Sequence, residues 1–358
     1  MKKTILFIGA FALCLTSYGQ VLQAETFDNL TLGNVGTAID GTVAGQASFL
    51  TLSTNGAATS TTTNAANSNF AIGSVRGAAD QSVNITSPNG SEGIRFMWQD
   101  GLDTAWTTRA LGNDVIDIEF TFNTGSFPLS RTNFGMRLFD ASFNTIIGYT
   151  YDTNSRILSG LARLNNNGTV GNFRINLAAA PGLQLLENTT YRLGMSYNTV
   201  TGEVFWKTSP SAPAGTIGSA FWIPNLVVTE LDFVALATPA SATSTPPIPA
   251  NTLEATLSFF DFTAEAVATS DLLSNEDDVL DDSFISVFPN PANDVINVRS
   301  NAQLLSSLNI VDLNGRLVKS VDVNATETSL NVENLRPGLY LLNISSSDAT
   351  ITRKFIKE

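Results

Sequence analysis

Apolar and polar residues alternate one by one through short stretches of this chain, and Gly, Asn and Pro separate the stretches. A period of two sends successive side chains to opposite faces of an extended backbone, so each stretch predicts a strand with one buried face. Before residue 210 the runs are 93–98 (GIRFMW), 115–122 (VIDIEFTF), 134–140 (FGMRLFD), 146–152 (IIGYTYD), 172–177 (NFRINL), 191–197 (YRLGMSY) and 202–207 (GEVFWK). FFDF at 259–262 and TAEAV at 263–267 predict a closing strand, expected to return beside the first, ETFDNL at 25–30. The Pro-containing stretch 239–249 therefore reads as a loop inside this unit rather than its end. Asn165 to Gly168 reads as a turn, and Asn198 to Gly202 as a hairpin. No segment sustains the 3.6-residue period of an amphipathic helix.

A second group of short runs fills 284–358: ISVF, VINV, LNIVDL, RLVKSVDV, SLNV, LYLLNIS and TRKFIK. The Asn314-Gly315 pair between two of them is a hairpin signal, because a type I′ turn needs positive φ at both central positions. Between the two groups, Glu276, Asp277, Asp278, Asp281 and Asp282 predict a solvated, self-repelling linker; they lack the glycine-turned spacing of a calcium loop. The expected organisation is thus 1–19 a signal peptide, 20–266 a large β-sandwich, 267–283 a linker and 284–358 a small immunoglobulin-like β-sandwich.

The N-terminus supports the first of these segments: Lys2 and Lys3 precede an apolar run to Leu15 and small residues around Gly19, after which cleavage is expected. Cys14, the one cysteine, lies inside that run and leaves with it. Bulky Leu13 before it argues against a lipoprotein. No other stretch reaches the roughly 20 apolar residues of a membrane span. Composition narrows the chemistry further. The chain has no histidine, which excludes Ser-His-Asp and Cys-His catalysis and histidine-ligated zinc. Its net charge of −13 opposes binding to nucleic acid or anionic lipid.

Four motifs in the C-terminal unit occur in order: Phe288-Pro289-Asn290-Pro291-Ala292-Asn293-Asp294, Asp312-Leu313-Asn314-Gly315-Arg316, Leu335-Arg336-Pro337-Gly338-Leu339-Tyr340, and Arg353-Lys354-Phe355-Ile356-Lys357. Together they resemble the type A C-terminal sorting domain of type IX secretion cargo. The resemblance implies export to the periplasm, recognition by an outer-membrane translocon, and removal of this domain by a surface peptidase, leaving a released or surface-attached product. The positions it marks are Pro289, Asn290, Pro291, Asp312, Gly315, Arg316, Gly338, Tyr340 and Lys354.

The strand order of the central unit is similar to the concanavalin-like or laminin-G-like jelly roll, so the fold class is all-β, a large jelly-roll sandwich followed by a small one. Asp114-Val115-Ile116-Asp117-Ile118-Glu119-Phe120 resembles the strand that carries the carboxylates of family 16 glycoside hydrolases. Asp117 and Glu119 keep two of those positions, but Val115 stands where the family has its nucleophile. An isopropyl group forms no glycosyl ester, so no catalytic residue is assigned. Arg95, Arg137, Arg174 and Arg192 each sit between apolar neighbours, at the parity of Asp117 and Glu119. Nine of the ten basic residues in 20–275 are Arg. A planar guanidinium grips carboxylates or sugar hydroxyls, and the pattern admits two readings: cross-strand ion pairing, or a glycan-binding concave face. Trp98, Trp106, Trp206 and Trp222 suit a core or a sugar-stacking surface, with Trp106 expected to be the most exposed. Glu25, Asp28 and Asp261 offer a structural calcium site if the first and last strands pair; no other cofactor is expected. The leading function is a secreted, non-catalytic glycan-binding or adhesion module. A structural surface protein and a carbohydrate-active enzyme are the alternatives.

Overall fold

The computed structural model describes residues 19–56, 63–74, 81–126, 129–209, 212–245, 247–270, 272–273, 285–300, 305–312, 316–345 and 350–358. Residues 1–18 of the expected signal peptide, the acidic cluster at 276–282 and Asn314-Gly315 lie outside the described residues.

Alternation builds two antiparallel sheets in the central unit. The first runs Ala212–Thr216, Val204–Ser209, Thr190–Asn198, Val115–Asn123, Thr256–Val267, Gln81–Thr86, Phe70–Ser74 and Gly33–Asn34, with Gln20–Glu25 also paired to Thr256–Val267. The second runs Thr169–Asn176, Ile157–Asn166, Thr145–Asp152, Thr132–Phe139, Glu230–Ala237, Ile94–Trp98 and Leu50–Ser53, with Leu183–Gln184 beside Ile157–Asn166. Consecutive strands from Thr132–Phe139 to Thr169–Asn176 and from Thr190–Asn198 to Ala212–Thr216 pair in order, while Thr256–Val267 sits between Val115–Asn123 and Gln81–Thr86 and Glu230–Ala237 between Thr132–Phe139 and Ile94–Trp98, the long crossovers of a jelly roll. The closing strand does return beside the first, but the first strand is QVLQAE rather than ETFDNL, because Glu25 ends it by accepting the amides of Thr26 and Phe27.

Inward residues of both sheets meet in one core: Ile116, Ile118, Phe120 and Phe122 from the first face Met136, Leu138, Tyr149, Tyr151 and Phe233 from the second. Polar tips of two buried aromatics tie the layers together. The Tyr149 hydroxyl reaches the carbonyls of Gly194 (3.0 Å) and Lys207 (2.7 Å), and the Trp206 indole N–H donates to Gly148 O (2.9 Å). Buried polar atoms need such partners, and here the partners span the sandwich. Strands not read from the sequence include Ile157–Asn166 and Glu230–Ala237; both are interrupted by Gly or acidic residues that blur the alternation. The predicted turn at 165–168 closes a hairpin, with Gly168 N–H on Asn165 Oδ1 (2.8 Å). One short helix, Leu102–Thr107, was not anticipated.

Described by itself, the C-terminal unit has seven strands in two sheets among the described residues, Ile285–Phe288, Val295–Ser300 and Glu327–Asn331 in one, and Leu317–Ala325, Leu305–Val311, Gly338–Ser345 and Thr350–Lys357 in the other. Its own apolar cluster includes Ile296, Leu308, Leu342 and Phe355.

Candidate functional site

Asp117, Glu119 and Arg192 face outward from the first sheet, since Ile116, Ile118 and Leu193 face the core. Arg192 and Glu119 form an ion pair (Nη2 to Oε2, 2.6 Å). This carboxylate face is not open. Beyond Val267 the chain crosses it as a strap: Ser270 Oγ donates to Asp117 Oδ2 (3.0 Å), Leu273 N–H to Glu119 Oε1 (2.6 Å), and Lys207 Nζ to Leu272 O (2.9 Å). Leu272 occupies the space a side chain at Gly194 would need, 3.2 Å from an added Cβ. The stretch expected to be linker from 267 onward thus begins as part of the sandwich. A groove of about 570 Å³ remains between strap and sheet, lined by Val115, Ser196, Phe205 and Lys207.

The second sheet carries a different constellation on its outer face. Its strand register places Trp98, Asp232, Arg137, Gly148, Leu161 and Arg174 in one row across six strands. Arg174 Nη2 donates to Asn133 Oδ1 (2.8 Å) although three inter-strand steps separate their strands. On a flat sheet those steps span roughly 14 Å, beyond the combined reach of the two side chains once the offset along the strands is added. The sheet must curl, and this face is concave. Gly135 and Gly148 form its floor: a Cβ at Gly135 would strike Tyr149 O at 2.0 Å, and one at Gly148 would meet Arg137 Cγ at 3.0 Å.

Arg137 lies over that floor with its Nε buried and, among the described residues, without a partner. Burial lowers its pKa to about 10; Arg174 nearby lowers it and Asp232 opposes the shift. Asp232 has 0% exposure and both carboxylate oxygens lack a donor. Burial, with Glu230 beside it, pushes its carboxyl well above the usual range. With the proton on Asp232, its O–H donates to Glu230, whose own carboxyl is raised by burial and partly restored by that bond. At the other end of the face stands an apolar shelf. Phe143, 56% exposed, stacks on Phe139 (centroids 4.5 Å, 12°) and contacts Phe96 edge-on; Trp98 packs beside them and donates to Asp100 Oδ1 (3.0 Å).

The four arginines that share a parity in the sequence therefore do not share a site. Arg192 is on the first sheet, Arg137 and Arg174 are on the second, and Arg95 points inward beside Met97. Arg95 is fully buried and donates to Thr54 O (2.7 Å), Ile94 O (3.0 Å) and Asn64 Oδ1 (2.7 Å); burial lowers its pKa to about 10, against the pull of Glu254. Trp106 is also placed differently from expectation. It is 7% exposed in the core, because the helix turns it inward, and Arg109 covers its ring at 4.0 Å. Trp206 is core, and Trp222 is half-buried with its N–H on Ile217 O. Glu25 caps a turn, Asp28 Oδ1 accepts the Gln81 amide (2.9 Å), and Asp261 is exposed; no group of three metal-ligating side chains occurs among the described residues. Asp232, Glu230 and the strap were not read from the sequence. The acids at alternate positions in ELDFVALA were the available signal.

The sorting motifs converge in the C-terminal unit. Asn290 Nδ2 donates to Lys354 O (3.1 Å) and its Oδ1 accepts Ile356 N–H (2.9 Å), so the Pro-Asn-Pro turn clips the final strand between Pro289 and Pro291. Asp312 accepts Arg316 N–H (3.0 Å) and pairs with its Nε (3.0 Å). Tyr340, following Gly338 at the strand start, is buried, donates to Arg336 O (2.9 Å) and stacks on Phe355. Lys354 is exposed, and Gly315 lies outside the described residues.

Residues 286–358 match the family described as the secretion system C-terminal sorting domain. No curated protein matches the chain. Among solved structures, alginate lyase vAL-1 from Chlorella virus is 9% identical over 55% of this chain and 88% of that one (TM-score 0.37). The CBM2 module of the evolved Dit of Lactobacillus casei BL23 phage J-1 is 10% identical over 70% and 97% (TM-score 0.35). The metal-free exoplasmic/lumenal domain of VIP36 is 9% identical over 71% and 95% (TM-score 0.33). The chain carries a type IX C-terminal sorting domain, which marks proteins exported to the cell surface or extracellular space. No helix among the described residues is long and apolar enough to cross a membrane.

Proposed function

We propose that the central unit is a non-catalytic carbohydrate-binding or adhesion module, and that its ligand lies on the concave face of the second sheet. The observation that carries this reading is Arg137, held over a glycine floor on a concave face with a buried Nε that has no protein partner among the described residues. A donor left without an acceptor costs about 1–3 kcal/mol, which a ligand oxygen would offset. Trp98 and Phe143 supply a flat apolar shelf beside it, suited to the face of a sugar ring. The first sheet supports binding without cleavage: Val115 stands where the glycoside hydrolases that this strand resembles have their nucleophile, and the strap occupies Asp117 and Glu119. Delivery rests on the sorting tail, which the type IX translocon would recognise and a surface peptidase remove.

Titration against a polysaccharide panel, with product analysis, tests this. Trp98→Ala is expected to weaken binding at least tenfold, the loss of roughly 1.4 kcal/mol, with no product release from any polymer by either protein. Binding to no saccharide would favour a structural surface protein. Cleavage would favour the enzyme reading.

A further inference from the structure

Arg137 and Arg174 occupy the same row of the concave face, with Gly148 and Leu161 between them. The bond from Arg174 to Asn133 carries its guanidinium back across the face, close enough to Arg137 to lower that group's pKa. The Arg174 guanidinium at Asn133 and the Arg137 side chain over Gly148 thus flank Gly135 on one face, and among the described residues neither is ion-paired. Like charges held together cost energy unless an anion sits between them. Elsewhere this chain supplies one: Arg192 meets Glu119, Arg109 meets Asp114 and Arg316 meets Asp312. Acids outnumber bases twenty to ten in residues 20–275, so a missing acid here is not a shortage of acids. Asp232 does not fill the role, since it lies fully buried in the row on the side of Arg137 away from Arg174 and makes no bond to it.

We propose that Arg137 and Arg174 form a carboxylate subsite, and that the glycan bound on this face is acidic, carrying a uronate whose carboxylate lies between the two guanidiniums. The inference rests on the carbohydrate-binding reading and names its ligand class. Planar guanidinium forks match a planar carboxylate and bind it through paired N–H donors, which a hydroxyl cannot accept in the same way. Asn133 fixes the orientation of Arg174, and the shelf at Trp98 and Phe143 is left for a neighbouring sugar ring.

The test is calorimetric titration of the full chain with short oligomers of galacturonate, glucuronate and mannuronate, each beside its carboxyl-reduced neutral counterpart. At least one uronate is expected to bind, with affinity falling roughly tenfold or more on carboxyl reduction. Arg174→Ala should cause a loss of similar size for the uronate only, with an unchanged melting temperature because Arg174 is exposed. Arg174→Lys should recover part of it, keeping the charge without the fork. Equal binding of a uronate and its reduced form, or an unaffected Arg174→Ala, would overturn the subsite while leaving carbohydrate binding intact. Binding of neutral oligomers alone would do the same. Failure of every oligomer, charged or neutral, would overturn both.

Discussion

Asp232 lies on the outer face of its sheet yet has no exposed surface, because Trp98 and Arg137 flank it in register and cover it. Its native carboxyl keeps its proton to higher pH than an unfolded aspartate, which titrates near about 3.9. Between the two values the native state binds more protons than the unfolded chain, so the contribution of this group is full below about pH 4 and is lost as pH rises through its native pKa. Asp232→Asn removes the charge and retains a donor for Glu230. It is expected to raise stability near neutral pH, where native Asp232 must take up a proton that the unfolded chain has lost, and by less at pH 4, where both states hold it. Urea unfolding at both pH values checks this, and equal effects at both would contradict the assignment. At this scale the sequence was a partial guide. It marked Arg137 and Arg174 as unusual, but it grouped them with Arg95, whose role is to hold the carbonyl of Thr54 and the side chain of Asn64 from inside.

Among the elements, the strap after Thr256–Val267 changes what the first sheet offers. Leu272 and Leu273 are 4% and 6% exposed, and their backbone satisfies Lys207 and Glu119. Burying a leucine is worth about 1.5–3 kcal/mol. Replacing both by Ser should therefore lower unfolding free energy by several kcal/mol and speed amide exchange at position 273, measured in the same sample. Unchanged exchange would mean that the strap does not hold the face closed. The sequence offered no period here, since six residues of loop carry neither alternation nor turn signature. Only the sheet beneath gives Leu272 its seat at Gly194.

For the whole molecule, the tail and the central unit carry separate apolar cores. Residues 20–273 are expected to unfold cooperatively on their own, with the fragment ending after the strap rather than at the last strand. Reducing agent should leave that transition unchanged, because the one cysteine is Cys14. Deleting 284–358 is expected to leave the protein in the periplasm, read by fractionation; normal surface delivery of the truncated chain would refute the role of the tail.

The sequence by itself determined the β class, the strands with clean alternation and the sorting tail, whose motifs are contiguous runs of residues legible without the fold. Asn290 shows how far this goes: its motif is readable in the chain, but its two bonds to the final strand are made only once the unit has folded. The tertiary structure alone decided which sheet each strand joins and which parity faces the core. Alternation is a property of one backbone segment, whereas sheet membership depends on pairing between residues far apart and on burying both apolar faces together. That is why Arg95 and Arg137, alike in sequence, lie on opposite faces of one sheet, and why Asp117 and Glu119 lie beneath the chain's own strap.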